Sequence, residues 1–446
     1  MSAWADAMIA GAGMTELPER LRILCVSQVP PSPPRFGAQA RIHGLMTQLA
    51  RRHDLSAICL VDEELDLEDC RDAMQSYCRE VVLLRNPNGR NGLAKRSLQL
   101  RSLASLRSFE RHRYSVKGFQ EELDRLLRQR RFDVVNLEFP YLAHCRMKQS
   151  PPGTPPPLLV IDAHEIAHDM VRQFARNGGV GRKLYAGLDW RKLRREELSA
   201  FRGADGIFAC SVDDQRRILR DVHSARTTVV PNAADVEFYR PRPSDPPADG
   251  RTVVFFGLLS TYPNIDGALW FLQEIWPRVV AARPDALCKI IGKGAPRALL
   301  DFAGPRVEIA GLIADLRPHL ASAAALVVPL RIGGGTRLKI VEGMSMAKAI
   351  VSTTLGAEGI DVVPERDILI ADDPESFAAS VVRLLDDPAL GARLGSSARR
   401  VAVERYAWSA AAARLEQFYR ELLADRRAEV GQSQAMQKGR ARTGTG

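Results

Sequence analysis

Apolar residues come in short runs along this chain, separated by longer segments of mixed polarity. Residues 21–30 (LRILCVSQVP), 55–61 (LSAICLV), 78–85 (CREVVLLR), 132–139 (FDVVNLEF), 157–165 (PLLVIDAHE) and 204–211 (ADGIFACS) are such runs. They are short and rich in Val, Ile and Leu, the pattern of a strand covered on both faces. Between them lie stretches with helical spacing of apolar positions, such as GAQARIHGLMTQLARRHD (37–54) and QEELDRLLRQRR (120–131). Buried strands alternating with helices predict a parallel sheet.

The alternation stops at residues 228–250, TVVPNAADVEFYRPRPSDPPADG, where a strand ends and the chain turns Pro-rich and polar, as a linker does. It then restarts. RTVVFFG (251–257), ALCKIIGKG (286–294), VEIAGL (307–312), AALVVPL (324–330), AIVSTT (349–354) and DILIA (367–371) read as a second set of parallel strands. Its predicted helices are residues 264–284, 315–324, 337–348 and 373–395, followed by a last amphipathic helix ending at Arg427. The expected organisation is an N-terminal extension (1–20), a Rossmann-like domain (21–236), a linker (237–250), a second Rossmann-like domain (251–405), a helix (406–427) and a frayed polar tail (428–446). Two doubly wound α/β domains on one linker face each other across a cleft. Ligands in such sheets bind at the carboxyl ends of the strands.

Composition narrows the class. The 446 residues suit two domains. A content of 46% hydrophobic and 26% charged residues is that of a globular chain. No run of 18 apolar residues predicts a transmembrane helix. The N-terminus lacks a basic region followed by an apolar core, so no signal peptide is read and a cytoplasmic location is expected. The seven cysteines are odd in number and form no Cys-x-x-Cys. Cys25, Cys59, Cys210 and Cys288 lie in or beside apolar runs and read as small buried hydrophobes in a reducing compartment.

The net charge of +10 is concentrated in residues 90–132, where Leu93, Leu98, Leu100, Leu103 and Leu106 alternate with Lys and Arg. Two readings stand: peripheral contact with an anionic membrane surface, or a solvated helical face whose field attracts nucleotides. No zinc finger, ribonucleoprotein signature or dimerising basic helix argues for nucleic acid.

The richest candidate loop follows the run ending at Leu330: Gly333, Gly334, Gly335, Thr336, then a helix. Glycines there let backbone N–H groups approach an anion at a helix N-terminus. Arg337 and Lys339 occupy the first turn, where cations oppose the helix dipole unless an anion compensates them. The loop is neither a Walker loop nor a dinucleotide fingerprint. Glu342, one turn beyond Lys339, can accept two hydroxyl hydrogen bonds, as from a ribose.

A second motif competes. HEIAH, residues 164–168, matches the His-Glu-x-x-His zinc box. Its extension fails at Val171 and Phe174, and the strand pattern ending at Ala163 puts His164 at a sheet's ligand edge. No metal is expected. His164 reads as a cleft or packing residue, and His168 as structural.

Residues 329–360, PLRIGGGTRLKIVEGMSMAKAIVSTTLGAEGI, resemble the donor-binding segment of GT-B-fold glycosyltransferases of the family 4 type. Residues 22–60 resemble that family's opening strand, glycine-bearing loop and helix. ELSAFRGADGIFACS (197–211), VVPNAADVEFYRP (229–241), VVFFGLLSTYPNIDGALWF (253–271), IIGKG (290–294) and ERYAWSAAAARLEQFYRELL (404–423) follow in the family's order.

The resemblance implies the GT-B fold, with the C-terminal helix crossing back to the N-terminal domain. It implies transfer of a sugar from a nucleotide-diphosphate-sugar donor to a hydroxyl acceptor, retention of configuration, and no metal or further cofactor. A glycan or lipid-linked acceptor in cell-surface polysaccharide or glycolipid synthesis is implied. By position it assigns Gly37 to approach of the donor phosphates, His164 to the acceptor side, Gly292, Gly294 and Ile313 to the base, and Glu342 to the ribose. Two positions depart from the pattern. Gly334 stands where the first glutamate of Glu-x7-Glu belongs. The loop after the second domain's first strand, GLLSTYPNID, lacks the usual Arg and Lys. Arg337 and Lys339 are expected to supply that charge, with Asn264 as a polar helper. The alternatives are an epimerase or phosphorylase on the same fold, or a catalytically silent GT-B binding module.

Overall fold

The computed structural model describes residues 18–35, 37–88, 92–176, 180–333 and 337–443. Its strands form two all-parallel sheets. The first runs β3-β2-β1-β4-β5-β6-β7, with β1 Arg22–Ser27, β2 Asp54–Asp62, β3 Glu80–Asn86, β4 Val134–Glu138, β5 Leu158–Ala163, β6 Gly206–Ala209 and β7 Thr227–Val229. The second runs β10-β9-β8-β11-β12-β13, with β8 Thr252–Phe256, β9 Leu287–Ile291, β10 Val307–Ala310, β11 Ala325–Val328, β12 Ala349–Ser352 and β13 Leu369–Ile370. Every strand run named from the sequence is a strand here. The reason is visible in β1, β4 and β5, which are almost wholly buried because helices cover both faces.

Each sheet reverses its strand order once. Ile23 of β1 pairs with Leu55 on one side and Val134 on the other. Val254 of β8 pairs with Lys289 and Leu326. A crevice opens at such a switch point, outside the carboxyl ends of the strands. The loops at issue are therefore those after β1 and β4 in one domain and after β8 and β11 in the other.

The helix Trp408–Thr443 leaves the second domain and packs on the first. Trp408, Leu415, Phe418, Tyr419 and Leu422 join the core formed by β1, β2 and the helix Gly37–Ala50. The fit is close. A Cβ on Gly44 would lie 2.3 Å from two carbons of the Trp408 ring. The Tyr419 hydroxyl donates to Asn136 Oδ1 at 2.8 Å, deep in the first sheet. The crossing expected from the sequence is thus present. The expected end at Arg427 is not, because helical geometry continues to Thr443.

Three other expectations are corrected. Residues 373–395 form two helices, Pro374–Asp386 and Pro388–Arg405. Asp387 caps the second through Leu390 N, and Pro388, lacking an N–H, fits only a first turn. The helix expected at 264–284 contains a five-residue π segment, Phe271–Ile275, just before Pro277, which cannot donate to Gln273. The basic stretch is three helices, Gly92–Leu103, Phe109–Arg113 and Phe119–Gln129, not one amphipathic face. Leu98 is buried, while Leu100, Leu103 and Leu106 are exposed. The cysteines behave as expected: Cys25, Cys59, Cys210 and Cys288 are buried free thiols. Among the described residues no helix is long and apolar enough to cross a membrane.

Candidate active site in the interdomain cleft

The second domain supplies a cluster built around a lysine. Lys339, in the helix Leu338–Ser345, extends its ammonium to the loop after β8 and donates to Asn264 Oδ1 at 2.7 Å. Asn264 Nδ2 donates in turn to the Leu258 carbonyl and Thr261 Oγ1, both at 3.0 Å. The ammonium also lies 4.3 Å from the centre of the Phe255 ring. Gly257 makes room, since a Cβ there would sit 2.8 Å from Asn264 Nδ2 and 3.0 Å from Lys339 Nζ. The loop after β8 carries no cation of its own, and this packing delivers one to it. Burial pushes the Lys339 ammonium down to about 7, and the neighbouring Arg337 pushes the same way.

Arg337 lies against Gly333, whose φ of +122° is open to glycine and whose Cβ would stand 3.1 Å from the guanidinium. Burial lowers the Arg337 pKa, opposed by Glu358, Glu165 and Asp214. One turn from Lys339, burial lifts Glu342 to about 7, against the pull of Lys339 and a hydrogen bond from Tyr239. Lys339, Asn264, Arg337 and Glu342 are therefore brought near one another. Gly334, Gly335 and Thr336 lie outside the described residues.

The first domain supplies a different cluster. Glu138 and Asp162 are register partners on β4 and β5, and both are buried. Two adjacent buried carboxylates need cations. Arg41, itself 1% exposed, grips Asp162 through Nε at 2.8 Å and a terminal nitrogen at 3.1 Å, and reaches Asn232 Oδ1 at 3.0 Å. His164 Nε2 lies 2.8 Å from Glu138 Oε2 and 3.4 Å from Asp162 Oδ2. Asn136 donates to the other Glu138 oxygen at 2.6 Å. Burial raises the Glu138 pKa, the His164 hydrogen bond opposes it, and Asp162 adds to it. Phe139 adopts φ +60° and stacks its ring on His164, centroids 3.9 Å apart. In the tautomer whose Nε2–H donates to Glu138, Nδ1 is an acceptor.

His168 belongs elsewhere. Its Nδ1 meets Glu197 at 2.5 Å, and Glu197 also accepts from the backbone N–H groups of Ala167 and His168 at the start of the helix Ala167–Arg176. The two histidines of HEIAH thus serve different carboxylates, and His164 precedes the helix. Among the described residues one group, Glu138, Asp162 and His164, has ligand atoms within 4.8 Å of one another. The Arg41 guanidinium already neutralises Asp162 there and would repel a cation, so the group fits a hydrogen-bond network better than a metal.

The clusters face each other. A Cβ on Gly37, the first residue after the β1 loop, would meet Leu338 at 3.5 Å. Arg217 bridges the domains, bonding Glu358 at 3.1 Å and its own helix's Asp214 at 3.3 Å. Glu165, beside His164, is lifted to about 7 by burial, with His164 and Arg337 pulling it down. Gly292 and Gly294 form the loop after β9. A Cβ on Gly292 would strike the Gly257 carbonyl at 1.8 Å, and Gly294 sits at φ +84° beside Ser260. Ile313 follows β10, partly buried against the second core. Sequence reasoning did not select Arg41, Glu138, Asp162, Tyr239 or the Arg217–Glu358 pair. The available signal was a charge inside an apolar run, as in VVNLEF and LLVIDA.

Two family models match this chain: Glycosyltransferase Family 4 over residues 36–238 and Glycosyl transferases group 1 over residues 250–387. The chain belongs to the family 4, group 1 glycosyltransferases. A D-inositol 3-phosphate glycosyltransferase of Thermobispora bispora is 28% identical over 248 residues, 49% of this chain and 56% of that protein. The chain spans about half the length of the curated relatives it matches. Sucrose-phosphate synthase from Thermosynechococcus elongatus superposes with TM-score 0.66 at 16% identity, covering 91% of this chain and 100% of the synthase. Anabaena HepE, solved in complex with UDP-glucose, superposes with TM-score 0.57 at 15% identity, covering 89% and 99%. These likenesses show the fold, two parallel-sheet domains in the GT-B arrangement.

Proposed function

We propose that this glycosyltransferase moves a sugar from a nucleotide-diphosphate donor, held by the Lys339 cluster, to a hydroxyl acceptor on the His164 side of the cleft. The observation that carries this reading is Lys339 itself, a half-buried ammonium at a sheet's switch point with pKa about 7. An anion beside it would restore its charge. As the bond from the sugar to the diphosphate breaks, negative charge grows on the departing phosphate. Lys339 and Arg337 are positioned to stabilise that charge without reorganisation. Glu342, oriented by Tyr239, suits the ribose hydroxyls, and His164 Nδ1 suits a sugar hydroxyl.

The reading includes retention of configuration, with the leaving phosphate oxygen taking the acceptor proton on the face where the new bond forms. No separate protein base is then required. Charge neutralisation by two side chains makes a metal unnecessary in this scheme. The HepE complex recommends UDP-sugars as the first donors to try, and a glycan or lipid-linked acceptor fits the family.

A thermal-shift screen of UDP, GDP, ADP and their sugars tests the proposal. A ligand at a hundred times its Kd should stabilise the fold by about 2.7 kcal/mol. The shift should vanish in Lys339→Ala. No response to any nucleotide diphosphate would sink the enzyme reading and favour a silent binding module.

A further inference from the structure

Away from the cleft, the N-terminal domain holds a cavity of about 860 Å³. It lies between the helix Val180–Gly203, the turn Pro140–Leu142 with the loop after it, and residues 106–111. None of the cleft residues assigned to the donor lines it. Its wall is strongly cationic: Arg107, Arg111, Arg146, Lys148 and Arg195 stand against Glu196 and Glu197.

Both acids are engaged already. Glu196 accepts from the Ser108 hydroxyl at 2.5 Å and from its N–H at 3.1 Å, and Glu197 holds His168 and its helix start. Arg146 and Lys148 have outside partners in Asp124 and Asp205. The Arg111 Nε, by contrast, is buried and has no hydrogen-bond partner. A buried charged donor without an acceptor is costly even with Glu196 near enough to offset part of the charge, and it leaves a hydrogen bond for a ligand to complete. His144 lines the same wall and feels its arginines as a lesser contribution than burial. Burial, then Arg111 and Arg107, holds its pKa near 4.

Leu106 lines the cavity and is 74% exposed, and the helix that leads into it ends with Leu100 and Leu103, one turn apart and 67% and 50% exposed. Lys95, Arg96 and Arg101 are exposed on the same helix. Exposed leucines beside a cationic pocket match a ligand with an anionic head and an apolar body.

We propose that this cavity is a second anion site, taking a phosphate group through Arg107 and Arg111, with Leu100, Leu103 and Leu106 accepting the apolar part of the molecule that bears it. The site is independent of the donor reading. It places the membrane contact suggested by the basic segment at a defined pocket.

The test uses the purified full chain with two probes: vesicles of phosphatidylcholine with or without phosphatidylglycerol, and soluble inorganic phosphate. Arg107→Gln, at an exposed position, and Arg111→Gln should each weaken the binding of phosphatidylglycerol vesicles by about fivefold. Lys339→Ala should leave it unchanged, which separates this site from the cleft. The His144 titration, followed in carbon-13-labelled imidazole and assigned with His144→Gln, should move to higher pH when the cavity fills. A vesicle effect assigns the phosphate to a lipid. Phosphate binding that moves His144 without a vesicle effect assigns it to a soluble ester. If neither probe moves His144 and neither arginine variant changes binding, the proposal is overturned.

Discussion

The two halves of the cleft carry charge in opposite ways. In the N-terminal domain, Arg41, Asp162, Glu138 and His164 satisfy one another through short hydrogen bonds inside a nearly dry wall. In the C-terminal domain, Lys339 is matched to a neutral amide, with pKa near 7, and Glu342 is also lifted to about 7. The first cluster is closed on itself and fixes the position of a histidine. The second is pushed toward neutrality by burial, and under the proposed function an anionic ligand relieves it. A buried network with every partner present is architecture. A cation set against amides and an aromatic ring, at the end of parallel strands, is a site in waiting.

Arg41→Ala presses hardest on this contrast. It leaves Asp162 charged and buried without its partner, so unfolding in denaturant should show a loss of roughly 3–5 kcal/mol. A loss below 1 kcal/mol would mean the network is not the frame described.

Lys339→Ala should do the reverse. Its turnover should fall by about 10²–10³, or roughly 2.7–4 kcal/mol in the barrier, with little change in Tm. Rates equal to the parent enzyme, measured by donor hydrolysis or transfer, would remove the phosphate role.

The pH dependence separates the clusters more finely. Lys339 has a folded pKa of about 7, below its ordinary 10.5, so the unfolded chain binds the extra proton between those values. Stability from this group rises with pH over that window. Glu342, raised from 4.5 to about 7, makes stability fall as pH rises from 4.5 to 7. Diphosphate binding should run against the lysine trend. Affinity should drop as pH climbs above about 7, by up to tenfold per unit, with proton uptake on binding at pH 8 visible by calorimetry in buffers of different ionisation enthalpy. Binding without proton uptake would separate Lys339 from the anion.

Glu138→Gln gives the smallest change. Its carboxyl pKa is raised, so the ionised form destabilises the fold above that pKa. The amide removes the buried charge and keeps one oxygen for His164, but turns its NH2 toward the Asn136 donor. The two effects oppose, so Tm should change little. A fall in kcat of about tenfold with KM unchanged would mark Glu138 as a positioning residue. A stability loss as large as that of Arg41→Ala would show that Glu138 belongs to the frame instead.

The order of elements was legible almost throughout, because buried parallel strands leave an apolar run that no surface constraint blurs. Arg337, Lys339 and Glu342 could be picked out as candidates too, since cations at a helix start violate a local rule. HEIAH shows the converse. Its spacing is that of a zinc box, yet His164 lies before the helix start at Ala167 and turns to Glu138, while His168 turns to Glu197. Spacing along a chain does not specify the direction in which a side chain leaves a strand end. The same limit applies to the basic segment, where Leu98 went inside and Leu100 stayed out.

The sequence by itself determined two doubly wound domains and their order, and it singled out a glycine-rich candidate loop in the second, because hydrophobic periodicity and glycine placement are local properties. Only the tertiary structure decided that Lys339 reaches Asn264 across the β8–β11 switch point, that Tyr239 returns from the linker to Glu342, and that a buried arginine meets Asp162 while His164 meets Glu138 on the neighbouring strand. Those contacts join residues far apart in the chain. Their energies come from desolvation and partner geometry, which exist only once the sheets have formed.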